Sequence, residues 1–237
     1  MKSDLRKAWE FIKLGASVNK VLNISFLVIF MLVGLIAEAL YLSGNGTGTL
    51  QFGGNGYDVG SFLILASLSF PTQFLVTTDV AYVVQTSSYK KKIQTKMLAE
   101  VSLITSLTAM SILVVARVIA TVINPQKAAL FWGDLPMMGA FTVMILIFTA
   151  VMYKYFWAAM ITLYFVLIGI SGMAGYKSAI QGYNVLTRND LPIAANITIG
   201  YALVLIGVGI IYLISLALYK KSFSKSAFGA AMSKYVS

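Results

Sequence analysis

The length of its apolar runs constrains this chain more than any other feature. Leu135–Met152 and Ile193–Tyr219 each run without a single charged residue. A bilayer core about 30 Å thick takes about 20 helical residues, and a helix that is apolar all round has no aqueous face to offer. Val21–Leu42, Gly60–Gln85, Met97–Ile123 and Tyr155–Met173 have the same character. The expectation is an all-α integral membrane protein of six transmembrane helices. Only Tyr153 and Lys154 separate the fourth span from the fifth. One helix through both would be too long for a single crossing, so a tight helical hairpin is expected there. Charged residues make up 11% of the chain, where soluble domains carry about 25%.

The charges that remain are sorted by side. If the spans alternate, fourteen lysines and arginines share one side: five in the N-terminal segment, then Lys90, Lys91, Lys92, Lys96, Lys154, Lys220, Lys221, Lys225 and Lys234. The opposite side holds Lys127, Lys177 and Arg188, together with Asp58, Asp134 and Asp190. Positive residues stay in the cytoplasm, so both termini are expected inside a plasma membrane, with bacterial cells the best fit. The net charge of +10 then reflects membrane topology, and nucleic acid is not an expected partner. Histidine and cysteine are absent. That removes the usual zinc and haem sites and any Ser-His or Cys-His catalytic pair.

The chain divides into residues 1–20, a membrane domain over 21–219, and a basic cytoplasmic tail over 220–237. In the first segment Leu5, Ala8, Trp9, Ile12 and Ala16 recur at helical spacing, with Arg6, Lys7, Glu10, Lys13 and Ser17 on other faces. This pattern predicts an amphipathic helix lying on the inner membrane surface. Charge breaks it too often for a signal-peptide core. The glycine- and asparagine-rich stretch from Ser43 to Gly60 is expected to be an outer connection, with a small hairpin as one form. It lacks the lysine and helix of a phosphate-cradling loop.

Charges inside apolar spans are expensive unless paired or wet. Glu38 and Arg117 lie at similar depths near the outer ends of the first and third spans, so an ion pair between them is expected. Asp79 and Glu100 lie toward the inner side, where a vestibule or the nearby lysines could receive them. Pro71 removes a helical hydrogen bond within the second span and is a candidate hinge. No two carboxylates share a helix face as an acid–base or metal pair would.

Residues 86–96 are cytoplasmic, and Lys90, Lys91 and Lys92 follow a serine-rich helix start at Ser87 and Ser88. Positive charge in a first helical turn is disfavoured by about 0.3–1 kcal/mol, so an anionic partner beneath is expected. The run from Ser88 to Lys96, with the surface helix and glycine-rich outer loop before it, resembles type-2 ABC transporter permeases. The resemblance is to small exporters of peptides, antibiotics and toxins, such as the phenol-soluble-modulin exporters. It implies a permease subunit that is not itself an enzyme and pairs with a second permease copy or paralogue. It also implies that the 86–96 helix couples to a separate ABC ATPase through Tyr89, Lys90, Lys91, Lys92 and Ile93. The family's frequent proline before the serine is missing. ATP and Mg would belong to the partner, because Gly175-Tyr176-Lys177-Ser178 holds only the tail of a Walker A loop. The alternatives are a secondary transporter or channel using Asp79 or Glu100, and a vitamin-capture subunit of an importer.

Overall fold

A computed structural model describes residues 2–17, 20–43, 49–52, 55–79, 89–152, 154–155, 157–161, 164, 191–222 and 224. Among these the order is α1 (Lys2–Ser17), α2 (Lys20–Leu42), strands β1 (Thr49–Phe52) and β2 (Asn55–Asp58), then α3 (Val59–Asp79). A single helix, α4, follows over Lys90–Ile123, with a π-helical stretch at Ile93–Met97. A short 3-10 turn at Pro125–Lys127 leads to α5 (Ala128–Gly133), α6 (Leu135–Met152) and α7 (Ile193–Leu218). Apart from one hairpin and short turns at the helix ends, the described residues are helical. Four helices are long and apolar enough to cross a membrane: 24–42 in α2, α4, residues 131–152, and α7.

The apolar helices bury narrow stripes and leave broad apolar faces outside. In α2 the buried positions are Gly34, Glu38 and Leu42, while Ile29, Leu32, Val33 and Ile36 are exposed. That distribution suits hydrocarbon on most sides and protein on one. In α7 the buried line is Asn196, Gly200, Val204, Gly207, Ile211 and Ser215. It packs against α6, where a β-carbon on Gly139 would come within 2.9 Å of the Gly200 carbonyl oxygen. Small residues let these backbones approach, as in other membrane helix pairs. The α2–α3 crossing is tighter still. A β-carbon on Gly60 would lie 2.2 Å from the Glu38 backbone nitrogen, so only glycine fits there. The antiparallel hairpin, pairing Thr49 with Asp58 through Phe52 with Asn55, links these two helices.

Several expectations shift against the structure. Residues 90–96 are not a separate helix but the opening turns of α4. Nothing between Lys90 and Ile123 is glycine or proline, so no breaker stands where the sequence reading put a boundary. Ile93, Met97, Leu98 and Val101 turn into one core with Phe74, Leu75, Leu146 and Ile211. The π stretch inserts an extra residue per turn, which lets Ile93, Gln94, Thr95 and Met97 all be buried. The first helix differs too. Ala8 and Ile12 enter that same core, while Trp9 and Leu14 are exposed. Its buried face therefore lies against the protein, and Trp9 stands off it. Pro71 lies inside α3, which continues through it. Of the fifth expected span, 157–161 are helical and most of the remainder lies outside the described residues, as do 80–88 and most of the tail.

Candidate functional site

Chain direction alternates through the bundle, so the end of α2, the start of α3, the end of α4 and the start of α6 meet at one end. The inward stripe of α2 brings Glu38 there, and that of α4, through Leu113, Arg117 and Ala120, brings Arg117. Both are almost fully buried, Arg117 at 0% and Glu38 at 2% exposure. The structure pairs them: Arg117 Nη1 donates to Glu38 Oε1 at 2.8 Å. A second carboxylate completes the group. Asp134, also 2% exposed, receives Arg117 Nη2 at 3.1 and 3.2 Å and Nε at 3.2 Å. Nε also donates to the Phe131 carbonyl at 2.8 Å, and Nη1 to that of Leu113 at 3.3 Å. Ser61 Oγ accepts from Nη2 at 3.2 Å and donates to Glu38 Oε2 at 2.8 Å. Tyr41 donates to Asp134 Oδ2 at 3.1 Å.

One guanidinium thus ties α2, α3, α4, α5 and the entry to α6. A guanidinium fork suits two carboxylates at once, and the start of α6 favours the Asp134 charge. That residue sits just before Leu135, where its carbonyl accepts from Met138 N–H at 3.1 Å. Sequence reasoning placed Asp134 on the same side as this cluster but missed its role. The readable signal was an aspartate immediately preceding an apolar helix, at the depth of a buried arginine. Such saturated carboxylates suit a structural clamp more than proton transfer.

The opposite end is basic. Lys7 donates to Tyr89 Oη at 3.0 Å and its ammonium stands 4.8 Å from the ring centre. Lys91 approaches the Tyr219 ring at 5.5 Å. Lys154 donates to Gln94 Oε1 at 3.2 Å and to the Lys221 carbonyl at 2.8 Å, joining the starts and ends of α4, α6 and α7. Tyr89 is exposed, as is Lys91, and Lys90 and Lys92 are half-buried. Tyr89 holds the position before the helix without a side-chain cap. Ile93 is only 1% exposed, so the expected apolar anchor of a docking helix is spent on the core beneath α1. Glu100 stands 3.8 Å from Lys96 through one oxygen, and its other oxygen is buried without a partner among the described residues. Asp79 is the last residue of α3, with its side chain outside the described set. Among the described residues no group of three His, Cys, Asp or Glu could hold a metal.

Fold and site together define a helical membrane protein with a buried charge clamp at one end and a lysine-rich platform at the other. No protein-family model, curated protein or solved structure matches the chain. The likeness to ABC permeases therefore rests on the short motif and the order of elements.

Proposed function

We propose that this chain is the membrane-spanning subunit of an ATP-driven ABC exporter for peptides, antibiotics or other amphipathic compounds. Six helices cross the cell membrane, the basic end lies in the cytoplasm, and a separate ATPase carrying ATP and Mg binds beneath. A second permease copy or a paralogue completes the path. The observation that carries this reading is that Lys90–Lys92 and Arg117 belong to one unbroken helix. At about 1.5 Å per residue, the two ends stand about 40 Å apart. A push on the basic end then reaches the charge clamp as a displacement of one rigid rod. The α1 helix, held to Tyr89 by Lys7, moves with it. Tyr89, Lys91 and the exposed Arg6 and Lys13 of α1 form the docking surface, with Ile93 supporting it from inside.

A secondary transporter is the second reading, favoured by the buried Glu100 oxygen that lacks a partner among the described residues. Co-expression with an ABC ATPase, followed by reconstitution in liposomes, separates the two. The exporter moves a labelled amphipathic peptide only with ATP and ignores ionophores. Joint Tyr89→Ala and Lys91→Ala changes lower ATPase recovery and transport while leaving the fold intact. Transport driven by an ion gradient without ATPase, and abolished by Glu100→Gln, would replace the proposal with the secondary transporter.

A further inference from the structure

Three segments of the chain bring lysines together where α7 ends. Lys220 stands 5.9 Å from the centre of the half-buried Tyr219 ring, and Lys91, at the start of α4, stands 5.5 Å from the same centre. One ring thus draws in two cations, which are at most about 11 Å apart. Lys154, just beyond α6, donates to the Lys221 carbonyl at 2.8 Å, which adds a third and a fourth lysine. The helix dipole explains only part of this gathering. It favours cations at the end of α7 but disfavours Lys91 in the first turn of α4. The described ion pairs of this end join Lys13 to Glu10 and Lys96 to Glu100. Among the described residues no carboxylate pairs with Lys91, Lys220 or Lys221, and all three are exposed. The cluster is open to a ligand from outside, and that ligand must be an anion.

Depth selects a lipid over a free anion. Tyr155 and Trp157, close to Lys154 in the chain, are exposed, and such residues sit at the head-group level of a bilayer. Ile206, Leu213 and Lys220 recur every seven residues, about two helical turns, and so share one face of α7. Ile206 is 55% exposed and Leu213 65%, so this face is bare apolar surface leading up to the lysine. Gly209 lies between them, with nothing within 4 Å of where its β-carbon would stand, and leaves a notch in the face. An acyl chain laid along it brings its head group to Lys220. Lysine clusters just beyond a membrane helix attract anionic lipids, whereas a phosphate free in water gains nothing from the apolar flank.

We infer that Lys91, Lys154, Lys220 and Lys221 hold the phosphate head of an anionic phospholipid whose acyl chains lie along α7. The inference goes beyond the export reading. Its test needs no ATPase and changes lysines outside the proposed docking surface, so either can fail alone. Native mass spectrometry of the purified chain in detergent measures lipid affinity. Phosphatidylglycerol should bind at least about ten-fold tighter than phosphatidylcholine of the same chain length. Lys220→Gln and Lys221→Gln should each weaken phosphatidylglycerol about five-fold. Lys96→Gln removes the same charge from the same end, at a residue already paired with Glu100, and should leave lipid affinity unchanged. Glycerophosphoglycerol, the head group without chains, should not compete. Phosphatidylglycerol with a diazirine on one chain, irradiated in phosphatidylcholine nanodiscs, should leave its adducts within 205–217. An equal loss from Lys96→Gln would mean diffuse attraction by the basic end, and displacement by glycerophosphoglycerol would mean a site for free anions. Either result, or adducts scattered over the other lipid-facing helices, would overturn the inference. If the glutamine variants do not fold, the competition and the adduct map on the parent chain still decide it.

Discussion

Arg117→Met is the most informative single change, because it removes one cation and leaves two buried anions. Glu38 and Asp134 each approach the guanidinium within about 3 Å, so once it is gone their carboxylates stand within about 8 Å. At an effective dielectric of about 20 they repel by about 2 kcal/mol. The Phe131 and Leu113 carbonyls lose a donor as well. Breaking a buried ion pair from one side typically costs about 3–5 kcal/mol, which lowers the folded-to-unfolded ratio by about two to four decades. Unfolding in detergent by SDS titration, followed by circular dichroism, reads the loss directly. The structure further dictates how stability returns. Adding Glu38→Leu to Arg117→Met still leaves Asp134 charged and unmatched, so recovery is partial. Adding Asp134→Leu as well removes the last buried charge and should recover most of the loss. Three simply additive losses would refute the clamp, because residues that share one network are coupled.

Two further outcomes check the packing. Gly60→Ala forces a β-carbon onto the Glu38 backbone and should strongly destabilise the α2–α3 pair, whereas Gly209→Ala, with nothing within 4 Å, should be close to neutral; thermal denaturation of both separates contact from propensity. Ile93→Ala should cost about 2 kcal/mol or more, while Lys91→Ala on the same helix start should stay within about 0.5 kcal/mol; equal small effects in unfolding assays would mean that Ile93 does not lie in the core.

Span positions were legible because hydrocarbon imposes a simple rule on composition: α6 spans Leu135–Met152 and α7 ends at Leu218, each within a residue of where apolarity alone put it. The pairing of Glu38 with Arg117 was readable for a related reason, since charges at equal depth in an apolar medium have few other partners. Asp134 was less legible because it stands outside the apolar run, where a carboxylate carries no obvious penalty. Its burial arises from α5 folding back over the cluster through Phe131. The start of α4 was misread because lysines look like a boundary to a hydropathy count. A helix continues through them as long as their stems can reach water and nothing breaks the backbone. The serines and threonines of the apolar helices carried no functional signal, since in a membrane helix they usually satisfy themselves on their own backbone, as Thr149 does on Ile145.

Orientation is the claim on which clamp, platform and proposed coupling all depend, and the absence of cysteine makes it directly measurable. Asn55→Cys in the hairpin and Lys91→Cys at the start of α4, each introduced alone, are exposed to an impermeant maleimide on intact cells and then on opened membranes. The account predicts that position 55 reacts on intact cells and position 91 only after opening. The reverse pattern would put the basic platform outside and contradict the assignment of the charge clamp to the outer end.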